Sequence, residues 1–285
     1  MKTLLTIAIS LTFATTAVRA QTLSAYQSII NGQSPTYYNT LDNTTALVPT
    51  VGTGTFTASG AGYGSDLWGN ANDAVSFSAL ANYLTGSGSI ISGAGAANGV
   101  GSLSLLFYLP STVPNTAYLF SDTDTSTTSM FAFDISGGNT WQLKLGNTTK
   151  SLTGAPAITA NTWYYLGLTY DRTGVVAGVN GVNWYLGALG GTLSSGFIQN
   201  GGSGNISATS TLGDGGAFIL GNRRAFNNTM GINSEVDELA TWNTQLSSTL
   251  IQAQFAAVTV PEPSTCAVLG LSGLLALWTR RTFRA

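Results

Sequence analysis

The chain has 285 residues, of which 44% are hydrophobic and only 8% are charged, and it contains 35 glycines. It has no histidine and one cysteine, Cys266, which excludes histidine acid–base catalysis, a Ser-His-Asp triad and a histidine-ligated zinc site. Residues 21–260 carry five basic and eleven acidic side chains, a net charge of −6. This charge argues against nucleic-acid binding, which needs a basic surface.

The first twenty residues have the features of a secretory signal peptide. Lys2 supplies a positive start, Leu4–Phe13 is mostly apolar, and Val18–Ala20 ends on a small residue. We expect residues 1–20 to form a signal helix that signal peptidase removes after Ala20. The rest of the chain is then exported, with Gln21 as its first residue.

The chain beyond residue 21 is predicted to be mostly β-strand. Short runs of valine, phenylalanine, tyrosine and tryptophan are separated by glycine, asparagine and serine, which favour turns. In Trp141–Leu145 apolar and polar residues alternate, which is typical of a strand with one buried face. The nine predicted strands are Ala74–Phe77, Gly101–Leu109, Ala117–Ser121, Ser129–Ile135, Thr140–Leu145, Thr162–Tyr170, Val182–Leu186, Ala217–Leu220 and Ser234–Trp242.

One helix is predicted after the last strand, from about Ser247 to Ala257. Ser247 is a favourable N-cap, and Leu250, Ile251 and Phe255 fall on one side. Strands throughout, followed by one short helix, indicate an all-β domain over residues 21–258. We expect a two-sheet antiparallel sandwich or jelly roll.

Four motifs in the second half of the chain resemble laminin-G-like domains of the concanavalin A-like superfamily. They are the strand Asn161–Asp171, the hairpin Trp184–Gly187, the strand Phe218–Asn222, and Glu235–Ser247 before the final helix. They occur in the order found in that family. The resemblance implies a jelly-roll fold and a ligand-binding rather than a catalytic role.

The carboxylates of Glu235-Val236-Asp237-Glu238 are the best candidates for chemistry. Strand alternation puts Glu235 and Asp237 on one face and Glu238 on the opposite face. Some jelly-roll glucanases carry three carboxylates at alternate positions, but here the third position is Leu239. A glycoside hydrolase using Glu235 and Asp237 is therefore an alternative. The interpretation we prefer is that Asp237 and Glu238 fix the last strand by hydrogen bonds to neighbouring backbone.

The laminin-G-like resemblance also implies a Ca²⁺ ion at the rim of the sandwich, held by oxygen ligands. The sequence offers five candidate aspartates for this site: Asp73, Asp122, Asp124, Asp214 and Asp237. Asp122-Thr123-Asp124 is the densest group, and a solvated turn is its simpler interpretation.

Trp68 is the candidate for contact with a sugar. It lies in the glycine-rich loop 61–69, and stacking of an aromatic ring on a sugar face buries a large apolar area. The alternative is that Trp68 anchors this loop against the sandwich.

A short apolar run lies near the C-terminus of the chain. Sixteen residues separate Pro263 from Arg280, and as a helix they reach about 24 Å, against a hydrocarbon core of about 30 Å. We expect a helix that inserts transiently into the membrane, with the arginines on the cytoplasmic side.

This segment resembles the bacterial PEP-CTERM sorting signal. Val260-Pro261-Glu262-Pro263 precedes the apolar run, and Arg280-Arg281 follows it. The resemblance implies that residues 259–285 are recognised and removed by a membrane protease of the exosortase type. It also implies a Gram-negative bacterium that makes extracellular polysaccharide.

Together these observations predict an exported, non-catalytic protein of the cell surface or the exopolysaccharide. It would bind carbohydrate or another matrix ligand through its laminin-G-like domain. A glycoside hydrolase and a purely structural matrix protein are the two alternatives.

Overall fold

The computed structural model of the chain describes residues 23–42, 47–86, 100–111, 116–122, 131–145, 148–171, 181–199, 217–223 and 230–259. The predicted signal peptide and the sorting segment with Val260, Pro261, Glu262, Pro263, Arg280 and Arg281 lie outside these residues. None of the helices in the described ranges has the length and hydropathy needed to span a membrane.

The described strands form two antiparallel sheets packed face to face, which confirms the predicted sandwich. Eight strands form one sheet: β1 Tyr37–Asn39, β3 Gly62–Gly64, β4 Ala74–Phe77, β6 Val100–Leu109, β11 Thr162–Asp171, β12 Gly181–Ala188, β13 Ser194–Gln199 and β15 Ser234–Trp242. Seven strands form the other: β2 Phe56–Ser59, β5 Tyr83–Gly86, β7 Ala117–Asp122, β8 Phe131–Ser136, β9 Thr140–Leu145, β10 Thr148–Ser151 and β14 Phe218–Leu220.

The strand order of each sheet shows how non-local the fold is. The eight-stranded sheet runs β13-β12-β11-β6-β15-β4-β3, with β1 also paired to β15. The seven-stranded sheet runs β10-β9-β8-β7-β14-β5-β2. The last strand in sequence, β15, therefore lies between β6 and β4 within its sheet.

The core between the sheets is built from the inward residues of the alternating strands. Aromatic rings dominate it: Phe107 stacks on Tyr164 at 5.3 Å between ring centroids and meets Trp141 edge-on at 5.7 Å. All three side chains are buried. Such pairs add about 0.5–1.5 kcal/mol each beyond the burial of their area.

A second apolar cluster covers the outer face of the eight-stranded sheet. It contains residues of helix α1 (residues 23–32) and of helix α2 (Ser248–Thr259), including Tyr26, Ile30, Ile251 and Phe255. The sequence predicted the C-terminal end of α2 to within two residues. The predicted N-cap is also present, because the Ser247 hydroxyl accepts a hydrogen bond from the Leu250 amide at 3.3 Å. Helix α1 was not predicted.

The two helices are joined by a chain of hydrogen bonds at Gln33. The Gln33 side chain accepts a hydrogen bond from Gln254 Nε2 at 2.5 Å, and its backbone oxygen accepts one from Trp242 Nε1 at 3.1 Å. The Tyr165 hydroxyl donates to Gln254 Oε1 at 2.6 Å. The first and last elements of the domain are therefore fixed to each other and to the sheet.

Candidate functional site

The outer face of the seven-stranded sheet carries a polar group that we call the Asp134 site. It consists of Tyr118 on β7, Asp134 on β8, and Gln142 and Lys144 on β9. In the sheet register Tyr118 lies opposite Asp134, and Asp134 lies opposite Gln142. Side chains opposite each other on antiparallel strands share a face, so these groups converge.

Lys144 is the partner that the described residues provide for the buried Asp134 carboxylate. Lys144 Nζ lies 3.4 Å from Asp134 Oδ2, donates a hydrogen bond to the Tyr118 hydroxyl, and lies 4.6 Å from the centroid of the Tyr118 ring. The Asp134 side chain is 0% exposed and that of Lys144 is 19% exposed. Beyond this contact with Lys144, neither carboxylate oxygen of Asp134 has a hydrogen-bond partner. A buried acceptor of this kind is rare in folded proteins.

Burial raises the pKa of Asp134 to about 6, because it penalises the charged form. The nearby Lys144 ammonium lowers the pKa but does not offset the burial. Asp134 is therefore ionised at neutral pH and becomes protonated in mildly acidic solution.

The strands toward the two ends of this sheet carry polar, mostly uncharged side chains on the same face. Outward positions of β2 pair with those of β5, and outward positions of β9 pair with those of β10. Several of them are exposed or half-buried hydroxyl and amide side chains: Thr57, Ser59, Thr85, Gln142, Thr149 and Ser151. Such a surface offers donors and acceptors without a strong electrostatic field.

A second polar group lies on the other sheet, where Asp237 and Glu238 are both buried beneath α1. The register of β15 against β6 shifts between Asp237 and Ala240, and Glu238 has a φ of 55°. This β-bulge brings Glu238 to the same side as Asp237. The prediction that Glu238 faces the opposite side is therefore wrong, because simple alternation fails at the bulge.

The Asp237–Glu238 pair connects β15 to the start of the domain. Glu238 accepts hydrogen bonds from Gln27 Nε2 of α1 at 3.1 Å and from the Tyr38 hydroxyl of β1. Asp237 Oδ1 accepts one from the Glu238 amide at 2.9 Å. The expected bonding to backbone holds for Asp237, whereas Glu238 bonds to side chains of α1 and β1.

The electrostatic surroundings of this pair favour its protonated form. Burial raises the pKa of Asp237, and the adjacent Glu238 raises it further. Burial also raises the pKa of Glu238 to about 7, although its hydrogen bonds from Tyr38 and Gln27 act in the opposite direction. The charged groups that act on the pair among the described residues are all carboxylates, Asp66 among them. The pair therefore holds a proton close to neutral pH.

Two of the five candidate calcium ligands, Asp73 and Asp237, lie in this region and interact electrostatically. The neighbouring carboxylate of Asp66 already accepts hydrogen bonds from Asn70, at 2.6 and 2.7 Å. No three histidine, cysteine, aspartate or glutamate side chains within the described ranges are placed to hold a metal ion.

Calcium binding through Asp73 and Asp237 stays a prediction, since Ca²⁺ also takes amide, backbone and water oxygens as ligands. Of the other three candidates, Asp124 and Asp214 lie outside the described residues. Asp122 ends β7, but its side chain is not among those described. Calcium binding through these three stays a prediction.

Glu235 and Asp237 do not line an open cleft. Glu235 is half-buried, and its Oε1 lies so close to β3 that a Cβ added at Gly64 would collide with it. Asp237 is buried beneath α1. A hydrolase requires both carboxylates to reach the same glycosidic bond, and activity of this pair stays a prediction.

Trp68 anchors its loop instead of offering a free ring. It is 5% exposed, and its ring lies 6.1 Å from that of Tyr26 in α1. The prediction of a surface contact is wrong for this residue, because α1 covers the ring. The sequence had left a loop anchor as the alternative, and the structure has that arrangement.

The Asp134 site was missed at the sequence level, although a signal for it exists. Asp134 is an acid within a predicted strand, between Phe133 and Ile135, which both point into the core. Lys144 takes an outward position in the alternating strand β9. Their proximity depends on the pairing register of β8 with β9, which the residue pattern alone did not provide.

No protein-family model matches the sequence, and no curated protein matches it. Solved structures with a similar fold exist. The binding domain of botulinum neurotoxin serotype D is 14% identical with a TM-score of 0.53, over 80% of this chain and 52% of that one. A Trypanosoma rangeli sialidase is 11% identical with a TM-score of 0.54, over 80% of this chain and 34% of that one. The chain thus spans about half the neurotoxin binding domain.

A third similar structure is matched over nearly its whole length. It is domain 4 of AbnA, a GH43 extracellular arabinanase from Geobacillus stearothermophilus, solved in complex with arabinotriose. It is 15% identical with a TM-score of 0.51, over 79% of this chain and 98% of that domain. These likenesses establish the jelly-roll type of β-sandwich fold for the described residues.

Proposed function

We propose that this protein is an exported, non-catalytic carbohydrate-binding protein and that a neutral sugar binds at the Asp134 site. The observation that carries the proposal is the buried Asp134 carboxylate, whose two oxygens have no hydrogen-bond partner beyond the Lys144 contact. A buried carboxylate with one partner has unused acceptor positions, and a bound hydroxyl group would satisfy one of them.

The chemistry of the site suits sugar hydroxyls, which both donate and accept hydrogen bonds. The Asp134 carboxylate accepts from a hydroxyl, while the Lys144 ammonium and the Gln142 amide donate to sugar oxygens. Hydrogen bonds to charged groups contribute about 1.5–3 kcal/mol each. A neutral sugar fits better than an acidic one, since residues 21–260 carry a net charge of −6.

The ligand approaches over Lys144. Asp134 is 0% exposed, whereas the Lys144 side chain is 19% exposed and Gln142 is half-buried. A hydroxyl that enters between Lys144 and Asp134 takes over the donation that the carboxylate lacks. Among the described residues, the Lys144 side chain contacts Tyr118 and Asp134, so a sugar that binds here lies against this ion pair.

The fold shared with an arabinanase domain solved with arabinotriose supports this proposal. That ligand is a neutral oligosaccharide, the class that the Asp134 site suits. We therefore place arabinan oligosaccharides first among the neutral glycans to test, and acidic polysaccharides as the contrast.

The test measures binding of the full chain by isothermal titration. Lys144→Ala and Asp134→Asn should each weaken binding about tenfold or more, as loss of one charge-assisted hydrogen bond implies. Lys150→Ala is the matched control, because Lys150 lies on the adjacent strand β10 opposite the inward-facing Leu143. Failure of the wild-type chain to bind any neutral glycan would refute the proposal and favour a structural matrix protein.

A reducing-sugar assay distinguishes the proposed carbohydrate-binding protein from the alternative, a glycoside hydrolase. The burial of Asp237 and the closed position of Glu235 support a non-catalytic role. We expect no release of reducing ends from any glycan that binds. If reducing ends were released by the wild-type chain but not by Glu235→Gln, the glycoside hydrolase hypothesis would be supported instead.

Export and sorting complete the proposal. The resemblance of Val260–Pro263 and Arg280–Arg281 to a PEP-CTERM signal supports removal of residues 259–285 by an exosortase-type protease. Exopolysaccharide at the surface of a Gram-negative cell is then the place where the domain acts. Mass spectrometry of the surface protein should find no peptide that contains Arg280–Arg281, and finding one would indicate a retained anchor.

A further inference from the structure

Strand β13 forms one end of the eight-stranded sheet built by the described residues. One side of Ser194–Gln199 pairs with β12 in an antiparallel register. On its other side, no strand of the described ranges is bonded to it. A row of unpaired backbone N–H and C=O groups is a template for another extended strand.

This edge lacks the features that usually prevent strands from pairing. Its sequence, Ser-Ser-Gly-Phe-Ile-Gln, has no charged residue and no proline. The other three end strands are shorter, and one of them, β10, carries Lys150. The longest unprotected edge of the described sandwich is therefore β13.

An exposed aromatic side chain, Phe197, lies on β13 beside this edge, with Ser195 and Asn183 on the same face. Phe197 is 47% exposed, and its ring lies directly against Gly181 of β12, where an added Cβ would collide with it. Beneath the same strand, a Cβ added at Gly196 would lie 2.6 Å from the Trp184 ring. Because glycine has no side chain, the two aromatic rings can lie directly against the backbone of the strand pair.

We propose that two copies of the chain associate through antiparallel pairing of β13 with β13 across a two-fold axis. A self-complementary interface of this kind is the commonest arrangement in soluble dimers. The eight-stranded sheets of the two copies would join into one continuous sheet, with the two Phe197 rings on the same face near the axis.

Electrostatics permits a second copy as the partner at this edge more readily than elsewhere on the surface. Residues 21–260 carry a net charge of −6, so two copies repel each other over much of their surface. The three strands β11, β12 and β13 contain one charged residue between them, Asp171. The β13 edge is therefore a place where two identical chains meet with little like-charge repulsion.

The test is sedimentation of the full chain at about 1–200 µM, the range in which interfaces of this limited size associate. The wild-type chain should show a monomer–dimer equilibrium. Ser195→Lys and Phe197→Lys should each weaken it at least tenfold, because each puts like charges close together across the axis. Val48→Lys is the matched control, since Val48 is 61% exposed elsewhere and receives the same charge.

All these variants keep the same apolar C-terminal segment, so association through that segment is unchanged between them. A wild-type chain that stays monomeric at 200 µM would overturn the proposal. So would a finding that Ser195→Lys and Phe197→Lys dimerise as strongly as the wild-type chain. Circular dichroism of each variant separates loss of pairing from loss of folding. In a Cys266→Ser background, cysteines placed in turn along Ser194–Phe197 should cross-link best at the position nearest the axis.

Discussion

The buried Glu238 makes a specific prediction about stability and pH. Its pKa is raised from 4.5 to about 7 in the folded protein, so the folded state keeps a proton that the unfolded chain releases. Below pH 4.5 both states are protonated. Stability should therefore fall as the pH rises from about 4.5 to about 7 and change little from this group above that.

The size of the effect follows from the difference between the proton affinities of Glu238 in the folded and in the unfolded chain. A tenfold difference in proton affinity is worth about 1.4 kcal/mol, so a pKa of about 7 in place of 4.5 corresponds to about 3 kcal/mol. For a domain of this size, about 3 kcal/mol moves the melting temperature by roughly 6–12 °C. Asp237, whose pKa is raised by the same burial, changes stability in the same direction.

The perturbation is Glu238→Gln. Glutamine is neutral at every pH, its oxygen can accept from Gln27, and its amide can donate to the Tyr38 oxygen, so both contacts of Glu238 are kept. We expect the variant to be more stable than wild type by about 3 kcal/mol at pH 8 and nearly equal to it at pH 4.5.

The assay is urea unfolding followed by tryptophan fluorescence at pH 4.5, 6, 7 and 8. Glu235→Gln is the matched control: it makes the same change on the same strand at a half-buried position, so it should keep most of the wild-type slope. If Glu238→Gln declined between pH 4.5 and 8 as steeply as wild type, or if wild type gained stability over that range, the proton would not reside at Glu238.

Three further predictions concern other parts of the molecule. Sugar affinity should fall as the pH drops through about 6, where Asp134 becomes protonated, and titration calorimetry should find no such fall in Asp134→Asn. Gly187→Ala should destabilise the domain by about 1–3 kcal/mol, because its Cβ would strike the Phe255 ring of α2; Gly62→Ala, with open space around it, should not do so in the same thermal melt. Gln254→Ala should cost about 1–3 kcal/mol of unfolding free energy in urea, since it leaves the buried Tyr165 hydroxyl without its acceptor.

The strands that were predicted from the sequence are those with apolar alternation. Strands β4, β9 and β15 begin and end at the predicted residues. The missed strands lack that pattern: β10 reads Thr-Thr-Lys-Ser, and β13 begins Ser-Ser-Gly. Their extended form is imposed by the neighbouring strand to which each one pairs, a contribution that local propensity does not contain.

The candidate site was less accessible to prediction, for two physical reasons. The Asp134 site requires the register of three strands, which depends on tertiary packing. The position of Glu238 depends on a bulge with a left-handed residue, and such a residue is usually glycine or asparagine. A glutamate gives no local sign of that conformation, so alternation placed its side chain on the wrong face.

The place of β15 in the sheet determines when the domain can complete its fold. This strand, residues 234–242, bonds to β1, β4 and β6, yet it is synthesised after all of them. A nascent chain that ends at residue 230 lacks the strand that joins its earlier segments, and sheet formation waits for contacts of large sequence separation. The segments that β15 joins therefore stay unpaired with it until residues 234–242 have been synthesised.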